Sequence, residues 1–232
     1  MKKVAISIGG SILSSKSVFD VEFAKDLAQV LGKHKDTQFT IATGGGRLTR
    51  EAVAAIGPVA GNKYALDNIA IATTRLHAMM LRAVLDADKA LAGEVHDGVP
   101  ESPEEVSAAL VSRRIVVHGG FLAGITTDSC ATLSAEATGS KLLVNVSETG
   151  FIYDKDPKKN KDAKPLRTMG YDQLVELAGR SDGRNPGSNF LFDVLACKLI
   201  KRSGIKAAFV GRDLKGLDNA LKGIGFEGTL VG

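Results

Sequence analysis

Short apolar runs, typical of buried strands, alternate along this chain with segments whose apolar residues recur at helical spacing. The runs predict strands at residues 4–8, 39–42, 114–118, 141–147, 206–210 and 228–231. The helical spacing predicts helices at residues 24–31, 51–56, 67–85, 103 onward, 127–138, 171–178, 190–203 and 213–222. Because strands and helices alternate, we predict an α/β fold in which helices sandwich a mostly parallel central sheet.

Two segments add detail to this pattern. The longest predicted helix carries Ile69, Leu76, Met80 and Val84 on one face, which suits packing on the sheet or self-association. Residues 149–168 break the rhythm, because they are rich in Asp, Lys and Pro. We predict a loop or hairpin there, inserted at the edge of the sheet.

The composition argues against several classes of function. The chain has 232 residues, of which 44% are hydrophobic and 24% charged, as in an ordinary globular domain. The net charge is only +4, Trp is absent and aromatic residues reach 5%, so we expect no nucleic-acid partner. No apolar run approaches the ~20 residues that cross a bilayer, and the apolar stretch after Met1 is short and broken by Ser7. We therefore expect a cytoplasmic protein without a membrane partner.

Cysteine and histidine give no sign of a metal site built by the protein. Cys130 and Cys197 are the only cysteines, both in predicted helices, and we expect buried free thiols. The four histidines are scattered without the paired spacing of metal ligands.

Three glycine clusters each follow a predicted strand: Gly9-Gly10, Gly44-Gly45-Gly46 and Gly119-Gly120. In open α/β sheets, ligands bind outside the carboxyl ends of the strands. Glycine at such a turn lets backbone N–H groups approach an anion, or it only permits a tight turn. Three clusters in equivalent positions favour a phosphate-binding edge.

Other phosphate-binding motifs do not account for this edge. The chain lacks GxxxxGK[ST], the signature of P-loop enzymes. Residues 223–228 match GxGxxG, but no strand is predicted before them and no helix after them. We interpret that match as fortuitous.

The chain also carries an ordered set of longer motifs. They are Ser7-Ile8-Gly9-Gly10-Ser11, Thr43-Gly44-Gly45-Gly46-Arg47-Leu48-Thr49-Arg50, Gly119-Gly120-Phe121-Leu122-Ala123-Gly124-Ile125-Thr126-Thr127-Asp128, Ser147, Tyr153-Asp154-Lys155-Asp156-Pro157-Lys158-Lys159 and Phe192-Asp193-Val194-Leu195-Ala196-Cys197-Lys198. This set resembles the successive motifs of archaeal-type uridylate (UMP) kinases of the amino acid kinase superfamily. The similarity runs from residue 4 to about residue 231.

The resemblance implies transfer of a phosphoryl group from ATP to UMP, and it implies a role for each matching residue. It implies ATP contacts for Gly10, Ser11, Gly46, Arg50, Ser147, Tyr153 and Asp156. It implies UMP contacts for Gly45, Asp67, Phe121, Leu122, Ala123, Gly124, Ile125, Thr126 and Thr127. Asp67, at the start of the long predicted helix, matches the acid that binds the uridine ribose. Asp193 would organise the site, and Lys198 would reach the transferred phosphoryl group.

The resemblance further implies Mg²⁺ bound with ATP, and a homo-oligomer, usually a hexamer built as a trimer of dimers. It implies a single amino acid kinase domain, with the acceptor bound by about residues 1–140 and ATP by about 141–232. The sequence departs from the family pattern in two places. Ser7 stands where many superfamily members have a lysine, and Glu148-Thr149-Gly150-Phe151 replaces the common Asn-Val-Asp-Gly.

Two alternatives stay open from sequence alone. One is a kinase of the same fold that acts on an isoprenoid phosphate, a carboxylate or another small acceptor. The isoprenoid branch uses a histidine near its second glycine cluster, and none lies between Gly44 and Asp67. The other is a nucleotide-binding storage or regulatory protein without catalysis, which would tolerate loss of Asp193 and Lys198.

Overall fold

The computed structural model describes residues 1–15, 17–157, 159–180 and 192–232. The strands are β1 (Lys2–Ile8), β2 (Thr37–Thr43), β3 (Ile115–His118), β4 (Leu142–Val146), β5 (Ile152–Tyr153), β6 (Pro165–Leu166), β7 (Thr168–Met169), β8 (Lys206–Val210) and β9 (Gly228–Val231). The α-helices are α1 (Gly10–Leu13), α2 (Val21–Lys33), α3 (Gly46–Ile56), α4 (Lys63–Asp86), α5 (Pro103–Ser112), α6 (Thr127–Thr138), α7 (Tyr171–Arg180), α8 (Val194–Ser203) and α9 (Lys215–Lys222).

Within this part of the chain, seven strands form one sheet in the order β3-β2-β1-β4-β8-β9-β7. The five neighbouring strands β3, β2, β1, β4 and β8 run parallel to one another, whereas β9 is antiparallel to β8. β5 and β6 form a separate antiparallel pair, so the predicted hairpin is present. The predicted α/β fold, with helices on both faces of a mostly parallel sheet, is confirmed.

The two faces of the sheet bury different side chains. On one face, Ile6 and Ile8 of β1 pack with apolar residues of α2, α4 and α9. On the other face, small residues such as Ala5 and Ala42 pack with Ala131 of α6 and with residues of α7 and α8. Because both surfaces carry small side chains, α6 lies close to β1 and β2. This close packing brings the first turn of α6 to the end of β1.

The order of the strands separates the chain into two parts. β1, β2 and β3, from the first 140 residues, form one side of the sheet, and the later strands form the other side. The two sides meet where β1 pairs with β4. The assignment of UMP to one half and ATP to the other stays a prediction.

Several element boundaries differ from the prediction. α4 begins at Lys63, capped by Asn62, so Asp67 lies in its second turn and not at its start. α3 begins at Gly46, five residues before the predicted start. α8 begins at Val194, and residues 190 and 191 of the predicted helix lie outside the described residues. The apolar stripe predicted on α4 is only partly buried, because Thr74, His77, Ala78, Leu81 and Leu85 form its buried face.

The GxGxxG match was correctly interpreted as fortuitous. Its first residue, Gly223, ends α9, and its last residue, Gly228, begins β9. The match therefore joins a helix to a strand, the reverse of the strand-to-helix order that a dinucleotide site requires.

Candidate functional site

The glycine turns lie side by side at one edge of the sheet. β1, β2 and β3 are parallel neighbours, and each ends immediately before its glycine cluster. The first two turns touch through their backbones. A Cβ at Gly10 would overlap with Gly46, and a Cβ at Gly46 would overlap with the Gly10 carbonyl group. Gly46 also has φ +55°, which favours glycine.

The close approach of these turns explains part of the glycine content without a ligand. It also leaves backbone donors near the edge. Gly10 and Ser11 lie in the first turn of α1, and Gly46 begins α3. First-turn N–H groups have no acceptor within their own helix. The turns can therefore present N–H groups to an anion, and the ATP contacts of these three residues stay a prediction.

The loop 121–127 is hydrogen-bonded to the rest of the protein at two points. Near its middle, the N–H of Gly124 donates to Oδ2 of Asp67 at 2.9 Å. At its end, the hydroxyl of Thr126 donates to Asp193 and also caps α6 by accepting from the N–H of Ser129. The structure thus brings together three parts of the predicted site that are distant in sequence.

Asp193 joins the N-termini of two helices. It caps α8, because Oδ1 accepts from the N–H of Ala196 at 3.0 Å. The buried hydroxyl of Ser129, in the first turn of α6, contacts both carboxylate oxygens at 2.9 and 3.1 Å. With Thr126 as the further donor, both oxygens of Asp193 are occupied, which leaves the carboxylate little capacity to bind a metal ion directly.

Asp128 lies beside Asp193 and was not among the predicted site residues. Ser7, at the end of β1, donates from its hydroxyl to Oδ1 of Asp128 at 2.7 Å. Burial raises the pKa of Asp128 to about 7, the Ser7 hydrogen bond opposes that rise, and the charge of Asp193 adds to it. A serine therefore holds a carboxyl group here, at the strand position where many superfamily members have a lysine.

We expect Asp128 to give the protein a pH-dependent stability. Its folded-state pKa of about 7 exceeds the ordinary 3.8, so the native protein binds this proton more tightly than the unfolded chain does. The stabilising contribution is complete below pH 3.8 and is lost as the pH rises through 7. In the wild type, the free energy of unfolding should therefore fall by on the order of a few kcal/mol between pH 5 and pH 8, and Asp128→Asn should remove this fall. Urea unfolding at each pH measures it.

The matched control is Asp86→Asn, at the exposed C-terminal end of α4. It should leave the pH dependence of the unfolding free energy unchanged. If the free energy of unfolding depends on pH equally in wild type and Asp128→Asn, the pKa of Asp128 is not raised.

The two predicted cations differ from the carboxylates in exposure. Lys198 lies in the second turn of α8, and Arg50 lies in α3. Both side chains are exposed, and neither has an ion-pair partner among residues 1–15, 17–157, 159–180 and 192–232. No described residue therefore neutralises either charge through an ion pair.

The predicted ATP residues of the second half follow the neighbouring strands. Ser147 comes directly after β4, and its N–H donates to the carbonyl of Val210 at the end of β8. Tyr153 lies in β5, and Asp156 follows it. The hairpin is held at the same edge of the sheet, because the N–H of Ile152 donates to the Thr229 hydroxyl at 2.9 Å.

The substituted segment Glu148–Gly150 has its own contacts. Arg212, which follows β8, donates to the carbonyl of Ile12 at 3.0 Å and forms an ion pair with Asp20, the cap of α2. Nη1, the nitrogen that donates to Ile12, also lies 3.9 Å from the Glu148 carboxylate, whereas Nη2 contacts Asp20. Glu148 is thus part of a charge cluster that connects the ends of β4 and β8 to α2.

Sequence reasoning missed several residues at this edge. Ser129, Asp128 and Arg212 are described above, and Ser14 connects the first two glycine turns by accepting from the N–H of Arg47 at 3.1 Å. The Thr127-Asp128-Ser129 segment could have been found from its position at the start of a helix. No local pattern marks Ser14 or Arg212, because their partners are distant in sequence.

One histidine, His77, does lie near the second glycine turn in space, although the sequence has none between Gly44 and Asp67. The Nδ1 atom of His77 is 2.8 Å from the Gly44 carbonyl oxygen, and Nε2 is 3.1 Å from that of Val18. The ring is fully buried. Because both ring nitrogens contact backbone carbonyls, this histidine stabilises the turn. It has no ring nitrogen left to bind an acceptor phosphate.

The sequence model of the amino acid kinase family matches residues 2–211. The chain belongs to the amino acid kinase family. Among its curated relatives, the uridylate kinase of Thermococcus sibiricus is 36% identical over 99% of both chains. The uridylate kinase of Archaeoglobus fulgidus is 35% identical, and the alignment covers 95% of this chain and 96% of that protein.

Solved structures agree with this assignment. The crystal structure of the Archaeoglobus fulgidus uridylate kinase superposes with a TM-score of 0.84 at 30% identity, over 100% of both chains. A UMP kinase from Bacillus anthracis superposes with a TM-score of 0.77 at 22% identity, which shows the shared fold. The family resemblance drawn from the ordered motifs is confirmed.

Two kinds of feature are absent from the described residues. No helix there combines the length and apolar character needed to cross a bilayer. Nor do those residues bring three or more His, Cys, Asp or Glu side chains into an arrangement that could hold a metal ion.

Proposed function

We propose that this protein is a UMP kinase, which transfers the γ-phosphoryl group of ATP to UMP and releases UDP and ADP. The observation that carries the proposal is the fastening of loop 121–127 to both Asp67 and Asp193. Asp67 is the residue assigned to the uridine ribose, and Asp193 lies at the start of the helix that carries Lys198. One loop thus connects the acceptor side to the helix assigned to catalysis. The uridylate kinase relatives lead us to expect UMP as the acceptor.

The chemistry requires charge neutralisation more than a general base. The acceptor phosphate has a second pKa of ~6, so it is largely ionised at neutral pH and can attack directly. The difficulty is to bring two polyanions together and to stabilise the charge of the transferred group. Exposed Lys198 and Arg50 and the first-turn N–H groups of α1 and α3 are suited to that task.

We divide the site into two parts. Gly45, Asp67 and the loop 121–127 would bind UMP, with the loop hydroxyls holding the nucleotide and its phosphate. The ATP residues would be Gly10, Ser11, Gly46, Arg50, Ser147, Tyr153 and Asp156. The hairpin that carries Tyr153 lies beside the ends of β4 and β8, which suits a role in holding the base and ribose of ATP.

Mg²⁺ would enter the site with ATP. Magnesium in nucleotide sites is coordinated largely by phosphate oxygens and water, with one or two carboxylates at most. Asp193 has both oxygens occupied by protein donors, whereas Asp128 has one oxygen on Ser7. Asp128 is therefore the better candidate to contact the ion or its water, and Mg²⁺ would supply neutralisation of the phosphate charges.

Substrate choice tests the proposal most directly. We expect UMP to be phosphorylated about tenfold or more efficiently than CMP, AMP or GMP, because unpaired polar groups in a site penalise a mismatched base. The measurement is kcat/KM in a coupled ADP-release assay over the four monophosphates, with an isoprenoid phosphate and a carboxylate acceptor included. Comparable rates with CMP and UMP would overturn the uridylate assignment. Turnover of a non-nucleotide acceptor would favour another kinase of the family, and ATP binding without turnover would favour a storage or regulatory role.

We further propose that the protein is a homo-oligomer, and specifically a hexamer. α3 buries none of its residues within the described chain, and apolar side chains are exposed at its last residue, Ile56, and later in the chain at Val59, Tyr64 and Met79. An apolar face of this kind commonly marks an interface. Multi-angle light scattering at micromolar concentration should give about six times the monomer mass, and Val59→Asp should lower it. A stable monomer for wild type would contradict the proposal.

A cytoplasmic location follows from these assignments. ATP and UMP are cytoplasmic metabolites, and Cys130 and Cys197 are buried free thiols, which suit a reducing compartment. The product UDP would enter pyrimidine nucleotide biosynthesis.

A further inference from the structure

A second hollow lies at the opposite edge of the sheet, where the parallel strands begin. It has a volume of about 750 Å³, within the range of ligand sites. Its floor is formed by Leu142, Ala208 and Leu230 of three adjacent strands, and its wall by Ile224 and Phe226, which follow α9. Ile224 is 54% exposed and Leu230 38% exposed, so these two side chains are open to solvent, whereas Ala208 is fully buried.

Four lysines line the same hollow: Lys2, Lys3, Lys141 and Lys206. No acidic side chain is among the lining residues, and none of the four lysines has an acidic partner within the part of the chain that the structure describes. Lys2 donates from Nζ to the Leu221 carbonyl at 2.6 Å, and Lys3 to the Thr138 carbonyl at 3.0 Å. These bonds fix the two ammonium groups and use only one of the three donors of each.

Neutralisation of helix C-termini explains only part of the positive charge of these four lysines. α6 and α9 both end at this edge, and each helix C-terminus carries about half a negative charge. Lys2 and Lys3 already bind the last-turn carbonyls of these two helices. Lys141 and Lys206 are both exposed, and among the described residues no acidic group pairs with either of them. The hollow therefore combines an apolar floor with a positive rim.

We infer that this hollow is a binding site for a small organic anion with an apolar body, such as an aromatic or acyl carboxylate, sulfonate or phosphate. The apolar body would cover the strand floor and Phe226, and the anionic group would lie between Lys141 and Lys206. The site is separate from the proposed nucleotide edge, since it lies at the opposite ends of β1 and β4. It does not depend on the kinase proposal.

The test uses 8-anilinonaphthalene-1-sulfonate, a fluorescent aromatic anion, titrated into the full-length protein well below its unfolding temperature. We expect saturable binding of one equivalent, with a Kd below ~1 mM. The double variant Lys141→Glu/Lys206→Glu should weaken binding about tenfold or more, because it reverses the charge of the rim. N-phenyl-1-naphthylamine, which has a similar body without the sulfonate, should bind both proteins equally.

The control Lys35→Glu/Lys215→Glu makes the same change in net charge at exposed lysines outside the hollow. It should leave the affinity within about twofold of wild type. If the double variant folds poorly, Lys206→Gln alone should still weaken binding about threefold. Absence of saturable binding, an equal loss in the control pair, or displacement of the probe by UMP or ATP would overturn the inference.

Discussion

Lys198→Ala should lower kcat for UMP phosphorylation by about 10²–10³-fold, or about 3–4 kcal/mol, while KM for UMP and ATP changes little. Lys198 is exposed in α8 and lies five residues after Asp193, or about 7.5 Å along the helix axis. If its charge acts on the phosphoryl group in transfer, the lost interaction exists mainly in the transition state. Steady-state kinetics with both substrates varied separates kcat from KM.

Lys201→Ala is the matched control, because Lys201 lies one turn later in the same helix and pairs with Asp172. It should leave kcat unchanged. Arg50→Ala should differ from both, since we assign Arg50 to holding ATP, and should mainly raise KM for ATP. Turnover of Lys198→Ala within about threefold of wild type would place Lys198 on the solvated surface. Mg²⁺ would then have to supply the catalytic charge.

The fold could be predicted because its signals are local. Apolar runs of the right length identify the parallel strands, and the first three predicted strands are each followed by glycine. The position of β9 next to β8 was the main feature that no run revealed. Antiparallel pairing of a closing strand depends on the path of the whole chain after α9. Helix starts were less accurate, because the caps, such as Asn62, are single polar residues that resemble ordinary loop residues.

The candidate site was predicted less completely than the fold. The motifs indicated residues such as Asp67, Asp193 and loop 121–127, and the structure brings these together. They could not indicate the hydrogen bond between Ser7 and Asp128, because it joins residues 121 positions apart. Nor could they show that Gly10 and Gly46 pack against each other. In both cases the tertiary packing determines the function of a residue whose sequence context is ordinary.

The same packing determines what kind of contribution Asp193 can make. Asp193 accepts hydrogen bonds from three donors, the hydroxyls of Thr126 and Ser129 beside α6 and the N–H of Ala196 in α8. One possible role is therefore a purely structural link between the two helices. It could also act through its negative charge, by orienting Lys198 or water bound to Mg²⁺. These two roles respond differently to loss of the charge alone.

Asp193→Asn should therefore lower kcat by about 10²–10³-fold while changing the unfolding free energy by less than about 1 kcal/mol. Asparagine caps helices about as well as aspartate, so its Oδ1 can still accept from the N–H of Ala196. Its amide group can donate to the Thr126 hydroxyl, which reverses the direction of that hydrogen bond. The substitution thus removes the charge and keeps the link. Urea unfolding and steady-state kinetics measure the two quantities.

Asp193→Ala removes the link as well, and it should cost about 1–2 kcal/mol of stability in addition to the loss of kcat, because α8 loses its cap. Asp172→Asn is the control for a change of charge beside α8, since Asp172 pairs with Lys201 at the exposed surface, and it should affect neither quantity. If Asp193→Asn keeps the wild-type kcat while Asp193→Ala loses stability, Asp193 only connects α6 to α8. The negative charge of Asp193 would then have no part in phosphoryl transfer.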